Sequence, residues 1–313
     1  MTSVANRASA CALAAVCAAA ILTLTTARGA AAPPACDPDN GGLKLPQGFC
    51  ALVVATDLGA ARHLAVAANG DLYVSLMTGR GQTPGVVALR DTNGDGKMDV
   101  TERFGDKSST GIALRNGYLY VATVTSVERY KMTKGELRPS GAAEVIAADL
   151  PLGRPHQDKG IAFDGKGSLY VNFGAPSNAC QPQDRRAEVP GQDPCPAPIA
   201  SFPPHSAPVD LMFYTGTQFP KRYQGGAFIA FHGSWNRSPM PQDGYNVTFQ
   251  PFAAGKPSGK GEIFADGFAG PAPIKQQNDA AARADGVAQA PDGSLYIAES
   301  VKGKIWRVIY TGK

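Results

Sequence analysis

A single histidine stands just before a short apolar run in the middle of the chain. His156 precedes the run 160–163, and the turn 164–167 leads back into a second apolar run, 169–173. Asp-Gly between two apolar runs is a strong signal for a β-hairpin. The position of His156 just before the strand indicates that this side chain is presented for a task. A purely structural histidine is the alternative interpretation.

A second stretch with chemical potential is the acidic segment 91–102. It fits the twelve-residue calcium loop D-x-N-x-D-G-x-x-D-x-x-E, with Gly96 at the sixth position. The predicted ligands are Asp91, Asn93, Asp95, Lys97 (through its backbone carbonyl), Asp99 and Glu102. Since 86–89 has the pattern of a strand, the loop would lie between strands and brace a sheet. The alternative is an ordinary turn rich in Asp, Asn and Gly.

The hairpin that follows His156 is one of five related copies. Each copy has an apolar run, a return and a second apolar run; the copies span 63–74, 111–121, 160–173, 209–230 and 286–297. A third strand follows most copies, at 86–89, 126–132, 245–252 and 304–310. A period of about 40–50 residues with several strands per unit predicts an all-β fold, a β-propeller. A single β-sandwich is the alternative.

One of the five repeat units is incomplete. The stretch 175–204 after the central hairpin is rich in proline and polar residues and has no alternating apolar strand. The next repeat then begins directly. At the other end, the early apolar run 51–55 has the pattern of a strand that could complete the last sheet and close the ring, which would hide exposed edges.

The N-terminus has the pattern of a secretory signal. Arg7 is followed by the apolar run 10–24 and by small residues in 28–32. The apolar run is shorter than the roughly 18–20 residues that a membrane span needs, although a membrane anchor is the alternative. The sequence predicts a signal peptide over 1–32 and a propeller domain over 33–313. It therefore predicts a periplasmic or secreted protein with no membrane span after cleavage.

Charge and cysteines are consistent with export. Loss of Arg7 and Arg28 with the signal lowers the formal net charge from +4 to +2, which argues against a nucleic-acid partner. Four cysteines remain, and in an exported protein an even number favours the disulfides Cys36–Cys50 and Cys180–Cys195. Metal binding is the weaker interpretation, because no CxxC spacing accompanies them.

The chain resembles the soluble pyrroloquinoline quinone (PQQ)-dependent sugar dehydrogenases, the glucose and L-sorbosone dehydrogenase family. The resemblance lies in the stretches 154–171, 207–214 and 226–237 and in the last hairpin, after Arg283. It implies a six-bladed propeller that holds PQQ over the central channel beside a calcium ion. With five repeat units, this chain is about one blade short of that fold.

The resemblance implies roles for particular residues. In the family a histidine removes the hydroxyl proton of the sugar while the quinone takes a hydride, and His156 occupies the position of that base. Arg283 matches the first of two arginines that bind the cofactor's carboxylates, a task that suits a planar guanidinium. The second arginine position is Asp285 in this chain.

A third cofactor-binding position also differs from the family. Where the family has a lysine after the strand equivalent to 228–231, this chain has His232. Arg237 or Lys159 is a candidate substitute for that lysine. The family's Arg-Asn pair on the quinone oxygens and its calcium-holding loop belong to the blade that this chain lacks.

The expected function is PQQ-dependent oxidation of a sugar or a related alcohol or aldehyde, with an external electron acceptor and calcium. A non-catalytic propeller that binds carbohydrate or protein is the alternative, favoured by the missing cofactor-site residues. A calcium-dependent lactonase-type hydrolase is a third possibility. It would need several acidic and amide ligands converging on the channel, and the sequence identifies no such set.

Overall fold

The computed structural model describes residues 34–79, 83–152, 156–174, 199–237, 240–271 and 273–312. Within these ranges, antiparallel strands form four four-stranded sheets and two two-stranded sheets. The four larger sheets and one of the smaller ones are the blades of a propeller, and the other smaller sheet is a short hairpin within the fourth blade. Short 3-10 helices occupy Asn40–Gly42, Lys221–Tyr223 and Gln277–Asp279.

The first strand, β1 (Phe49–Ala55), precedes the first complete sheet. Blade 1 contains β2 (Ala61–Val66), β3 (Leu72–Leu76), β4 (Gly85–Arg90) and β5 (Val100–Phe104). Blade 2 contains β6 (Ser109–Arg115), β7 (Tyr118–Thr123), β8 (Val127–Lys131) and β9 (Glu144–Ala147). Blade 3 contains β10 (Ile161–Phe163) and β11 (Leu169–Val171).

The C-terminal half forms the remaining two blades. Blade 4 begins with β12 (Pro208–Phe213), β13 (Ala227–Phe231) and β14 (Asn246–Gln250). A small hairpin of β15 (Phe252–Ala253) and β16 (Lys256–Pro257) precedes its outer strand, β17 (Glu262–Ala265). Blade 5 contains β18 (Ala284–Gln289), β19 (Leu295–Glu299) and β20 (Ile305–Tyr310).

Blade 5 is completed by the N-terminal strand, as the sequence predicts. Strand β1 pairs antiparallel with β20, and Phe49 lies opposite Tyr310 and Leu52 opposite Arg307. The sheet order is therefore β1-β20-β19-β18. This pairing joins the two ends of the described chain in one sheet and satisfies the backbone groups of both strands.

The predicted all-β propeller is confirmed, and the β-sandwich alternative is not. The five predicted hairpins correspond to the five blades, and among the described residues blade 3 has only the two strands β10 and β11. The segment 175–198, which was predicted to lack a third strand, is outside the described residues.

The first strands of the blades lie around the propeller axis. Strand β2 contacts both β18 and β6, while β6 contacts β10 and β12 contacts β18. Two glycines permit this close approach. A Cβ at Gly111 on β6 would overlap the carbonyl oxygen of Lys159, and one at Gly286 on β18 would overlap the carbonyl oxygen of Arg62. Residues beside these glycines are therefore brought together at the axis.

The core lies between the sheets and is most aromatic between blades 4 and 5. The ring of Phe49 on β1 has its centroid 4.9 Å from that of Phe219 and 5.0 Å from that of Phe264. Phe228 on β13 is fully buried, 4.7 Å from Phe264 and 5.1 Å from Phe249. Such edge-to-face and tilted pairs add about 0.5–1.5 kcal/mol each beyond their buried area.

One predicted disulfide is confirmed. Cys36 and Cys50 are bonded, which ties the segment before β1 to that strand. The predicted Cys180–Cys195 bond and the predicted signal peptide 1–32 lie outside the described residues. Among the described residues, no helix combines the length and the apolar character needed to cross a bilayer.

Candidate functional site

A polar cavity of about 200 Å³ lies beside the inner strand of blade 1 and the loops of blades 4 and 5. Its polar lining comes from segments that are far apart in the sequence. These residues are Arg62, His232, Gln277, Asn278, Arg283 and Ser300. The cavity therefore unites two predicted site residues, His232 and Arg283, with an arginine that the sequence analysis missed.

An ion pair joins blade 1 to blade 5 beside this cavity. Nη1 of Arg62, on β2, donates to Oδ2 of Asp285, on β18, at 2.6 Å. The Asp285 side chain is 1% exposed, and its burial raises the pKa of the carboxyl group to about 6, against the opposing effect of Arg62. The positive charge of Arg62 therefore compensates the buried carboxylate of Asp285.

His232 follows β13 and is held as a neutral imidazole. Its Nε2 lies 2.7 Å from Oγ of Ser300 and 3.4 Å from Oδ2 of Asp285. Burial lowers the pKa of His232 well below its usual value, and the positive charges of Arg283 and Arg62 lower it further. A neutral imidazole in a polar cavity can accept a hydrogen bond or a proton from a ligand.

Arg283 lies just before β18 and anchors the loop that follows β13. Its Nε donates to the carbonyl oxygen of His232 at 2.9 Å, and its Nη2 donates to that of Gly233 at 2.8 Å. Nη1 donates to Oε1 of Gln277 at 3.1 Å. The structure therefore brings Arg283 and His232 together, and much of the Arg283 guanidinium is bound by the chain itself.

The segment before β10 holds two more predicted site residues. His156 packs so closely on Gly174 that a Cβ at Gly174 would overlap the Cβ of His156. Lys159 is 1% exposed; its Nζ donates to the carbonyl oxygen of Gln157 at 3.2 Å and lies 5.4 Å from the ring centroid of Phe173. Burial lowers the pKa of Lys159. Neither residue is among the described residues that line the cavity.

The segment nevertheless reaches the axis through its intervening acid. Oδ1 of Asp158 accepts a 3.3 Å hydrogen bond from Oγ1 of Thr110 on β6. Its negative charge acts on both Arg62 and Asp285, raising the pKa of each. The predicted base, His156, thus lies two residues from a carboxylate that interacts with the ion pair.

Arg237 is not brought to the cavity lining. Its Nη1 pairs with Oδ2 of Asp243 at 2.6 Å, and its backbone N–H donates to Oε1 of Gln242 at 3.4 Å. Neither Arg237 nor Lys159 lines the cavity among the described residues, whereas His232 does.

A wider groove of about 620 Å³ separates blade 3 from blade 4. Its inner end is formed by His63 on β2 and Asp210 on β12, with 3.8 Å between Nδ1 of His63 and Oδ1 of Asp210. Nε2 of His63 is 3.0 Å from the carbonyl oxygen of Val209. Oδ2 of Asp210 accepts a 2.9 Å hydrogen bond from the backbone of Val287, so this pair also links neighbouring inner strands.

Sequence reasoning missed Arg62, His63 and Asp210. A usable signal for Arg62 was present, because strand register places Leu64, Ile112, Ile161, Leu211 and Val287 at equivalent positions of the five hairpins. The residues two positions earlier are therefore equivalent as well; they are Arg62, Thr110, Lys159, Val209 and Asp285. Aligning the repeats predicts that these side chains form one level around the axis.

The acidic loop lies between β4 and β5 and is ordered by hydrogen bonds to its own backbone. Asp91 accepts from the N–H groups of Gly94 and Gly96, at 2.7 and 2.8 Å. Oδ1 of Asn93 accepts from the N–H of Asp95 at 2.8 Å. The first three predicted ligands therefore fold the turn tightly, as Asp and Asn side chains do in turns.

The last two predicted side-chain ligands of this loop have other partners. Asp99 accepts from the backbone N–H of Thr92 at 2.8 Å and also pairs with the Thr92 hydroxyl. Glu102 is on β5, with its carboxylate 3.8 Å from Nη1 of Arg138. Among the described residues, no group of three or more His, Cys, Asp or Glu side chains is arranged to hold a metal ion. Calcium binding here stays a prediction.

Calcium added to the purified protein is expected to raise its melting temperature through this loop. A ligand at about 100 times its Kd adds about 2.7 kcal/mol of stability if it binds only the folded state. Thermal unfolding followed by circular dichroism, in excess calcium and in chelator, measures the effect. The double variant Asp91→Asn/Asp95→Asn is the control and should show no rise. Equal melting temperatures of the parent protein in both conditions would contradict the prediction.

Comparison with solved structures identifies the same architecture in three proteins. The holo form of the pyranose dehydrogenase PQQ domain from Coprinopsis cinerea aligns with a TM-score of 0.65 and 14% identity, over 85% of this chain and 97% of that one. A Trichoderma reesei enzyme of carbohydrate-active family AA12 aligns with a TM-score of 0.66 and 14% identity, over 86% and 98%. The predicted resemblance to the PQQ-dependent sugar dehydrogenases is confirmed. A putative oxidoreductase (glucose dehydrogenase) of Thermus thermophilus has a TM-score of 0.56 and 17% identity, over 84% and 100%.

Sequence comparisons give two shorter matches. The TrAA12-like family model matches residues 179–311, which include blades 4 and 5 up to β20. An uncharacterized protein of Borreliella burgdorferi is 34% identical over 113 residues, which is 36% of this chain. That match spans 28% of the length of the Borreliella protein. Because the three solved structures share only 14–17% identity with this chain, their similarity to it is one of fold.

Proposed function

We propose that this chain is an exported oxidoreductase that oxidises a sugar or a related alcohol or aldehyde, with PQQ as cofactor and calcium as a required ion. One observation carries the proposal: Arg62, His232 and Arg283 meet in one cavity beside the axis of a sugar-dehydrogenase-like propeller. The expectation of a periplasmic or secreted protein rests on the signal pattern in 1–32.

The residues present fit a cofactor that carries carboxylate groups. The cavity lining holds two guanidinium groups, and one of them is balanced by the buried carboxylate of Asp285. Nε of Arg62 is buried and has no hydrogen-bond partner in the described part of the chain. A buried donor without an acceptor is unfavourable, and a ligand carboxylate would supply the acceptor.

When bound, PQQ would supply the hydride-accepting group, since the cofactor carries the redox chemistry and the protein positions it. Oxidation of a CH–OH group also releases the hydroxyl proton, which a histidine of this chain would take. His156 is the proposed base. Inside the cavity, the neutral His232 and the hydroxyl of Ser300 would accept hydrogen bonds from the ligand or donate hydrogen bonds to it. The two electrons would then pass to an external acceptor.

The proposal is tested by PQQ binding and by dye reduction in the same preparation. With calcium and PQQ present, we expect a change in the quinone absorbance and reduction of a redox dye by at least one aldose. His156→Ala should lower kcat by about 10²- to 10⁴-fold and leave the Kd of PQQ unchanged, because it removes only a base. His205→Ala is the matched control, since His205 is exposed, and it should retain activity. No PQQ binding and no dye reduction would reject the proposal.

A non-catalytic propeller that binds carbohydrate or protein is the second candidate. It is favoured by the pairing of Asp285 with Arg62, which neutralises one of the two guanidinium groups beside the cavity. The β10–β11 hairpin of blade 3 and the groove of about 620 Å³ beside it also offer a binding surface without a quinone. Carbohydrate binding that persists in His156→Ala, together with an absence of dye reduction in the parent protein, would favour this candidate.

A further inference from the structure

The two arginines of the cavity differ in how their donors are used. In Arg283, the Nε–Nη2 edge donates to the carbonyl oxygens of His232 and Gly233, and Nη1 donates to Gln277. The edge that best matches a carboxylate is therefore already filled by backbone oxygens. This arginine holds the loop after β13 in place and adds positive charge to the cavity.

In Arg62 the same edge has no partner within the described residues. Only Nη1 is bound, at 2.6 Å from Oδ2 of Asp285. Nε is buried without a hydrogen-bond partner, and Nη2 makes no hydrogen bond to any described residue. The side chain lines the cavity and is 17% exposed. A guanidinium edge with two parallel donors matches the two oxygens of a carboxylate.

Asp285 fixes Arg62 without using that edge. It lies on the neighbouring inner strand, is 1% exposed and binds the opposite corner of the guanidinium. Arg62, Arg283 and Asp285 together carry one net positive charge, and the carboxylate of Asp158 also acts on Arg62. We propose that Arg62 is the anion-binding residue of this cavity and holds a ligand carboxylate on its Nε–Nη2 edge, with Asp285 as its positioning residue.

This inference rests on the proposed function only in the choice of PQQ as one probe. Isothermal titration is carried out with PQQ, with D-glucuronate as a simple sugar carboxylate, and with D-glucose as its uncharged counterpart. Arg62→Lys keeps the positive charge and removes the two-donor edge. We expect the Kd of the bound carboxylates to rise at least about tenfold, the order expected when a charged hydrogen bond is lost. Arg222→Lys, at an exposed arginine paired with Glu262, is the matched control and should bind like the parent protein.

The outcomes separate this inference from the proposed function. Binding of D-glucuronate that depends on Arg62, without any binding of PQQ, would reject the quinone proposal and support the inference. Equal carboxylate affinity in Arg62→Lys and the parent protein would overturn it, as would an absence of carboxylate binding in the parent protein. Circular dichroism checks that the variant is folded. Asp285→Ala tests the positioning role, because it removes the acceptor that fixes Nη1 of Arg62. The Kd of the carboxylates should rise in this variant, and an unchanged Kd in folded Asp285→Ala would overturn the assignment of Asp285 as the positioning residue.

Discussion

Replacing Arg62 by leucine is expected to lower the free energy of unfolding by about 3–5 kcal/mol at pH 8. The substitution leaves the carboxylate of Asp285 buried, 1% exposed, without its guanidinium partner at 2.6 Å. An uncompensated buried charge is far more costly than the loss of the same pair at the surface. Urea denaturation of the variant and the parent protein at pH 8 measures the difference.

The loss of unfolding free energy in Arg62→Leu should become smaller at low pH. Burial raises the pKa of Asp285 from 3.8 to about 6 in the folded protein, so between about pH 4 and 6 the folded state binds more protons than the unfolded state. The contribution of Asp285 to the free energy of unfolding therefore falls by about 3 kcal/mol as pH rises through this window. In Arg62→Leu the carboxyl can take a proton at pH 5, which relieves the buried charge.

The double variant Arg62→Leu/Asp285→Leu is the control for this prediction. It removes both charges, and a buried pair replaced by apolar residues is often neutral or stabilising. Comparing stability differences, rather than absolute stabilities, removes the contributions that the variants share from the other groups around Asp285, which include His63, Asp158 and His232. A single variant as stable as the parent at pH 8, or a loss equal at pH 5 and pH 8, would contradict the account.

Replacing Phe228 by alanine is expected to cost about 3–5 kcal/mol of stability. Phe228 is fully buried on β13, and its ring packs against Phe264 and Phe249 between blades 4 and 5. The cost includes the lost burial of the ring and the cavity left among neighbours that can only partly relax. Urea denaturation should show a lower midpoint with an unchanged slope.

Phe213→Ala is the matched control for the aromatic core. Phe213 is on the neighbouring strand β12, where it lies opposite Ala227 of β13, but its side chain is 50% exposed. The same change of residue type there should cost clearly less, because less apolar area leaves the interior. Equal losses in the two variants would show that the cluster between blades 4 and 5 is not the stabilising core inferred from its packing.

Local signals in the sequence predicted the strands and their hairpins well. Asn116-Gly117 and Asp292-Gly293 each stand between apolar runs, and both Asn116 and the following glycine adopt the positive φ that such turns require. The continuous apolar runs 119–121 and 295–297 then indicated strands, and the structure buries these residues on both faces of their sheets. The closure by β1 was also predictable, since the last hairpin has a third strand and needed a fourth to cover its edge.

For the acidic loop, the structure adds the partners of the predicted calcium ligands. Every ligand position of the motif is present in 91–102, but a motif specifies residue types and not their partners. The fold placed Glu102 on β5, near Arg138, and set Thr92 beside Asp99. Pairing of β5 with β4 governs the direction of the Glu102 side chain, and that pairing is a property of the sheet.

By itself, the sequence determined an all-β propeller of five repeat units, its closure by an N-terminal strand and the Cys36–Cys50 bond. The repeat units follow from one recurring local pattern, the closure from the edge that this pattern leaves open, and the bond from two cysteines that are close in the sequence. Only the tertiary structure decided that Arg62 pairs with Asp285, 223 residues away, and that carbonyl oxygens occupy the donors of Arg283. Which side chains meet at the axis depends on how the strands of different blades are packed around the ring, and no local segment contains that information.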